Sequence, residues 1–64
     1  MKDLKTKVEE VIYIYTKMKK GTNLGEIGRL LNGYDAADIV IEVEDLLKKG
    51  IIIDKEGVIS MKLS

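Results

Sequence analysis

Apolar residues recur at intervals of three and four over the first third of the chain. They are Leu4, Val8, Val11, Ile12, Tyr15 and Met18, and Ile14 widens their stripe. This spacing predicts an amphipathic helix over about residues 3–20. Asp3 is a suitable N-cap, and the basic pair Lys19-Lys20 suits the end of the helix. Gly21 can take the left-handed conformation that closes a helix.

A second, shorter helix is predicted over about residues 23–32. Asn23, followed three residues later by Glu26, resembles a capping box in which Asn replaces Ser or Thr. Gly33 ends this helix. The predicted buried stripe of the helix consists of Ile27, Leu30 and Leu31. Gly28 lies inside the helix at a cost of roughly 1 kcal/mol relative to Ala. Close approach of a neighbouring helix backbone best explains a glycine at this position. The alternative is that the helix simply tolerates the glycine.

A third helix, over about residues 35–49, and a β-hairpin, over about residues 51–63, complete the predicted elements. Asp35 is the N-cap of the third helix, and its inward stripe consists of Ile39, Val43, Leu46 and Leu47. After Gly50 the pattern changes to the β-branched run Ile51-Ile52-Ile53, a turn, and a second alternating segment. A short extended piece near residues 22–24 could add a third strand.

Composition narrows the classes of function. The chain has 64 residues, 45% of them hydrophobic, which suits one small folded domain without room for a deep substrate cavity. Cysteine and histidine are both absent, so disulfides, thiolate metal sites and the usual general base are excluded. No apolar run approaches the roughly 20 residues of a membrane span. We expect a non-enzymatic intracellular protein, cytoplasmic or nucleoid-associated, with no cofactor, small-molecule substrate or membrane contact.

The order of these elements and two short runs of sequence resemble those of the winged helix-turn-helix superfamily. The run Glu26-Ile27-Gly28-Arg29-Leu30-Leu31 is similar to the second helix of that family, where Ala commonly stands in place of Gly28. The run Lys49-Gly50-Ile51-Ile52 is similar to its exit into the wing. The resemblance implies a small α+β winged-helix domain, three helices followed by a β-hairpin wing. It also implies a role in DNA-associated machinery, such as transcription regulation or replication.

The third helix departs from the DNA-reading members of this superfamily. In those members it enters the major groove with polar or basic side chains. Here the segment from residue 35 to residue 45 contains no Lys or Arg, and its acidic residues are Asp35, Asp38, Glu42, Glu44 and Asp45. Several carboxylates together repel phosphates, whose neutralisation supplies nearly all non-specific affinity for DNA. The positions equivalent to the DNA-facing ones are Ala37, Val40, Ile41 and Glu44.

Three interpretations of this face remain open. The first is that an apolar pair, Val40 and Ile41, rimmed by acids docks a protein partner or a second copy of the chain. The second is that the first helix or a longer C-terminal strand covers the pair within the monomer. The third is direct binding of double-stranded DNA through other basic residues. The candidates for that contact are Lys17, Lys19, Lys20, Arg29, Lys55 and Lys62, among which Arg29 is the only arginine of the chain.

Overall fold

Three helices followed by an antiparallel β-hairpin make up the computed structural model, which describes residues 3–62. The elements are α1 (Leu4–Lys19), α2 (Leu24–Leu30), α3 (Ala36–Lys48), β1 (Ile52–Lys55) and β2 (Val58–Met61). This confirms the predicted α+β class and the element order of a winged-helix layout. The predicted bounds differ from the observed ones by one or two residues, and Leu63, the last residue of the predicted hairpin, lies outside the described residues.

Helix α1 begins as its sequence predicts but ends differently. The Asp3 carboxylate accepts a hydrogen bond from the Thr6 backbone N–H at 2.8 Å, as an N-cap does. The left-handed residue that closes the helix is Lys20, with a φ of 78°, and not Gly21. Gly21 is needed for a different reason. A Cβ on Gly21 would lie 2.5 Å from the Ile59 carbonyl oxygen, so only glycine allows β2 to approach this closely.

Helix α2 is a short helix of seven residues. Its N-cap Asn23 accepts a hydrogen bond from the Glu26 backbone N–H at 2.8 Å. It ends at Leu30, two residues before the predicted end at residue 32, because the chain leaves helical geometry at the C-cap Leu31. The predicted close approach at Gly28 is wrong, since no described atom outside the local helix lies within 4 Å of the place where its Cβ would be.

The end of α3 directs the chain into the hairpin. Gly50 has a φ of 74°, and its N–H donates to the Leu47 carbonyl at 3.1 Å. The next N–H, that of Ile51, donates to the Leu46 carbonyl at 3.0 Å. These two bonds form a Schellman motif, in which the glycine takes the left-handed conformation that other residues adopt at a cost. The run Lys49-Gly50-Ile51 therefore has a clear conformational role.

The hairpin is closed by a two-residue turn and joined to the segment before α2. Lys55 pairs with Val58, and the residues between them, Glu56 and Gly57, have φ angles of 55° and 85°. Positive φ at both positions is the signature of a type I′ turn. On the other edge of β2, Thr22 exchanges two backbone hydrogen bonds of 2.8 Å with Ile59. The predicted third strand is thus a single-residue bridge.

One hydrophobic core joins all three helices to both strands. Its members are exposed by 3% or less, and they are Val8, Ile12, Ile27, Ile39, Val43, Leu46, Ile52 and Ile59. Two residues that were assigned to the apolar stripe of α1 lie outside the core, since Ile14 is 51% and Met18 is 69% exposed. Ile14 follows Ile12 by two residues, which is about 200° around a helix, so it points away from the core.

Candidate functional site

The predicted docking face of α3 is open to solvent. Ala37 and Glu44 are exposed, and the exposed fractions of Val40 and Ile41 are 38% and 58%. The buried residues of α3 lie on the other side of the helix, so the four positions point outward. Within residues 3–62, neither α1 nor the hairpin buries the apolar pair. The interpretation that the monomer covers this face is therefore wrong for the part of the chain that the structure describes.

The acidic residues of α3 do not share one role. Asp35 caps the helix, accepting a hydrogen bond from the Ala37 backbone N–H at 3.2 Å. Asp45 lies 2.7 Å from the Lys5 ammonium group on α1 and 3.0 Å from the Lys49 ammonium group. The hydrogen bonds from Lys5 and then from Lys49 hold the pKa of the Asp45 carboxyl below its usual range. Two of the five acids thus serve the fold itself.

The remaining three acids border the exposed apolar pair. Among the residues described, Asp38, Glu42 and Glu44 form no ion pair within 4 Å. Their charges are consequently not neutralised by a contact ion pair, although Glu42 lies close enough to Lys5 to help raise the pKa of that lysine. Val40 and Ile41 donate no hydrogen bond, and the carboxylates can only accept one. This chemistry suits an apolar groove with basic residues at its border better than it suits phosphates.

The basic candidates are only partly free to bind phosphate. Lys19 lies 2.8 Å from a Glu26 carboxylate oxygen and 5.1 Å from the centre of the Tyr15 ring. The other oxygen of Glu26 accepts a hydrogen bond from the Thr22 hydroxyl at 2.6 Å. Lys19 and this hydroxyl lower the pKa of Glu26. Lys19 therefore joins the end of α1 to α2. Lys17 lies 5.5 Å from the centre of the Tyr13 ring, a cation–π distance.

The other four basic candidates do not form one patch. Lys20 and Lys62 border the same open groove, between the end of α1 and the outer side of the hairpin. Arg29 lies on α2, and Lys55 lies at the tip of the hairpin beside the turn. The structure thus brings Lys62, which is distant in the sequence, to the same groove as Lys20. A duplex would have to contact the remaining candidates on separate elements.

The outer side of α1 is a surface that the sequence analysis did not identify. Tyr13 is 51% exposed, and Ile14 and Met18 are exposed with it. Open apolar grooves lie on both sides of Ile14, one of them bordered by Met61 of β2 and the other by Leu30 of α2. The sequence did carry a signal, because Ile14 falls on the side of the predicted helix opposite Ile12.

No family model, curated protein or solved structure gives a significant match to this chain. No helix within residues 3–62 has the length and apolar character needed to cross a membrane. The same residues contain no cluster of three carboxylates that could hold a metal ion.

Proposed function

We propose that this chain is a non-catalytic winged-helix binding module of DNA-associated machinery, acting in transcription regulation or replication. Its third helix docks a protein partner through Ala37, Val40, Ile41 and Glu44. The observation that carries the proposal is the exposure of Val40 and Ile41 on a helix whose first twelve residues hold no basic side chain. The winged-helix assignment is supported by the element order and by the resemblance of residues 24–63 to that superfamily.

The physical argument favours a protein over DNA at this face. Full burial of a Val or Ile side chain contributes about 1.5–3 kcal/mol. Covering the parts of Val40 and Ile41 that are still exposed would supply a fraction of this, which an apolar groove offers and a phosphate backbone does not. Asp38, Glu42 and Glu44 would oppose binding to a polyanion and would favour basic residues at the border of a protein groove. The partner chemistry that fits is therefore an apolar groove flanked by Lys or Arg, into which α3 lies along its length.

Two substitutions on opposite parts of the surface test the proposal. The native chain, Ile41→Asp and Lys20→Ala are each immobilised and exposed to extract from the source cells, and captured proteins are identified. We expect the native chain and Lys20→Ala to capture the same DNA-associated protein, and Ile41→Asp to lose it. Equal capture by all three chains would contradict docking through α3, as would the absence of any captured protein.

Direct binding of double-stranded DNA is a second candidate, supported by the pairing of Lys20 and Lys62 beside one groove. A phosphate-binding surface loses affinity steeply with salt, with a logarithmic slope of about −0.9 for each phosphate contacted. Titration of a random duplex at low and moderate salt measures this slope. Binding that weakens with salt and is reduced in the double variant Lys20→Ala, Lys62→Ala would favour this candidate, whereas a protein-docking module shows little binding at either salt concentration.

A further inference from the structure

The side of the hairpin that faces away from the core has an apolar centre. Ile53 pairs with Ser60, and Lys55 pairs with Val58, so these four side chains lie on one face of the two strands. We call it the outer face of the hairpin, because Ile59, between Val58 and Ser60, is buried on the opposite face. The exposed fractions of Ile53 and Val58 are 39% and 46%. Two apolar side chains therefore lie exposed in the middle of this face.

Lysines flank this apolar centre at both ends. Lys55 lies beside the turn, and Lys62 lies at the other end, where it borders the open groove that Ile53 and Lys20 also line. Four residues of strand separate Lys62 from Val58, the residue opposite Lys55, which is a span of about 13 Å. Among the described residues, none of these three lysines forms an ion pair within 4 Å. Their charges are available to a partner.

The two acids of the hairpin do not offset these lysines on the outer face. Asp54 is opposite Ile59, so it belongs to the face of the sheet that packs on the core, and its carboxylate accepts a hydrogen bond from the Gly57 N–H at 3.1 Å. Glu56 lies in the turn itself. The outer face thus attracts acids, while its apolar centre favours a protein segment over DNA, because a phosphate backbone offers no apolar surface to cover it.

The docking face of α3 has the reverse pattern. Its apolar pair, Val40 and Ile41, lies between the acids Asp38 and Glu44. Six residues of helix separate these two acids, which is a span of about 9 Å, and long lysine side chains can reach over the remaining difference. The two faces of this one chain are therefore complementary in the sign of their charges, in the position of their apolar centres and in approximate length.

We propose that the chain associates head to tail, with α3 of one copy lying across the outer face of the hairpin of the next. Val40 and Ile41 cover Ile53 and Val58 of the partner subunit, and the acids of α3 approach the lysines at the two ends. Different faces meet in such a contact, so each copy offers one of each. The contact rests on the proposed docking role of α3, and it identifies what covers that face when no other partner is bound.

Two variants that each remove one half of the contact test it. Ile41→Asp removes the α3 half, and the double variant Lys20→Glu, Lys62→Glu removes the hairpin half. Sedimentation equilibrium from micromolar to millimolar concentration should show self-association of the native chain. We expect each variant alone to raise the dissociation constant by about tenfold or more. In an equimolar mixture, the intact hairpin of the first variant accepts the intact α3 of the second, so native affinity should return in complexes of two chains.

Matched controls carry the same chemical changes on α1. Ile14→Asp places the acid at another isoleucine that is more than half exposed, and the double variant Lys7→Glu, Lys17→Glu changes net charge by the same amount. We expect both controls to associate as the native chain does. Circular dichroism shows whether each variant keeps the native helix content, and Val40→Asp replaces Ile41→Asp if that variant does not.

Three results would overturn the head-to-tail contact. The first is a native chain that stays monomeric at millimolar concentration. The second is a mixture that associates no more tightly than its two variants do separately. The third is an equal loss of association in the controls, which would show that the substitutions act through net charge or general polarity and not through the two faces.

The extract experiment separates this proposal from the proposed function. Immobilised Ile41→Asp keeps its hairpin and still binds copies of the chain itself, so the loss expected of that variant concerns other proteins, which their masses distinguish. Such a loss together with a monomeric native chain overturns the head-to-tail contact and leaves docking through α3. Native association that the mixture restores, without capture of any other protein, supports the contact and removes the DNA-associated partner.

Discussion

The ammonium nitrogen of Lys5 lies 2.7 Å from a carboxylate oxygen of Asp45, which joins the first turn of α1 to the end of α3. Lys49 approaches the same carboxylate at 3.0 Å. The ion pair with Asp45 raises the pKa of Lys5 well above its usual range. Asp45 belongs to the acidic segment that would repel DNA phosphates, and it also fixes the position of α3 against α1. The nearest residue of the candidate site is Glu44, which immediately precedes Asp45 in the sequence.

Replacing this carboxylate should have a modest effect that salt reduces. We expect Asp45→Asn to lower the urea midpoint of unfolding slightly, because both ion pairs are partly exposed and solvent weakens them. The difference from the native chain should shrink as salt is added. Glu44→Gln is the matched control, with one adjacent acid removed from a position without a described ion pair. An equal decrease in the control would show that the change in net charge, and not the loss of the two ion pairs, lowers the urea midpoint.

Local signals were sufficient to predict most elements. Asp3, Asn23 and Asp35 act as N-caps, and three of the four residues of the predicted α3 stripe are buried, while Leu47 is partly buried. Each of these features depends on neighbours within a few residues, which the sequence displays directly. The single bridge between Thr22 and Ile59 depends on a distant approach of the chain, so the sequence could only suggest an extended piece there.

The candidate site was harder to predict because it depends on which surfaces remain uncovered. The exposure of Val40 and Ile41 followed from the helical pattern of α3. The apolar outer side of α1 did not, because Ile14 was assigned to the inward stripe as a wider member of it. Whether such a residue is buried depends on how far α2 and β2 extend around α1. Spacing along α1 does place Ile14 on the side opposite Ile12, but it does not show how far the neighbouring elements reach around the helix.

Acid should destabilise the fold through two interhelical carboxylates. The pKa values of Asp45 and Glu26 are lowered in the folded chain by their lysine partners, from ordinary values of 3.8 and 4.5. A carboxyl with a lower pKa in the folded state contributes stability above its unfolded pKa, and that contribution is lost as pH falls through the folded value. We therefore expect the urea midpoint to be steady near neutral pH and to fall below about pH 4.5.

The double variant Asp45→Asn, Glu26→Gln identifies the source of this acid sensitivity. It lacks both carboxyls, so its urea midpoint should start lower at neutral pH and fall less steeply between pH 5 and pH 3, roughly the titration range of carboxyl groups. The native chain measured in the same buffers is the reference. Parallel curves for the two proteins would assign the acid response to other carboxyls.

Two glycine-to-alanine substitutions should change stability in opposite directions. Gly21→Ala places a Cβ 2.5 Å from the Ile59 carbonyl oxygen and 2.7 Å from Val58, at a φ of 154°, so β2 must shift. We expect it to be destabilising and to weaken the bridge between Thr22 and Ile59. Gly28→Ala adds a Cβ in open space within α2 and should stabilise the fold by up to about 1 kcal/mol. Thermal unfolding of both variants beside the native chain shows whether each substitution raises or lowers the stability of the fold.

The bridge offers a direct test of the Gly21 effect. The Thr22 and Ile59 amides donate to each other's carbonyls, so both should exchange slowly with deuterium in the native chain. In Gly21→Ala we expect faster exchange at these two amides, while the amides of α3 keep their relative protection. Unchanged exchange at Thr22 and Ile59 would mean that the hairpin accommodates the methyl group and keeps both hydrogen bonds of the bridge.

Helix α2 should depend on a single buried side chain. An isolated helix of seven residues is unstable in water, so tertiary contacts must hold it in place. Ile27 is fully buried and joins it to the core. We expect Ile27→Ala to lower the free energy of unfolding by about 2–5 kcal/mol, a large share of what a domain of this size has.

Leu30→Ala is the control for this substitution, since Leu30 lies on the same helix but is 50% exposed. Its loss should stay below about 1 kcal/mol, because little apolar area leaves the core. Urea titration of both variants and the native chain at one protein concentration measures the two losses. If Leu30→Ala proved as costly as Ile27→Ala, the dependence of α2 on the single buried side chain of Ile27 would be contradicted.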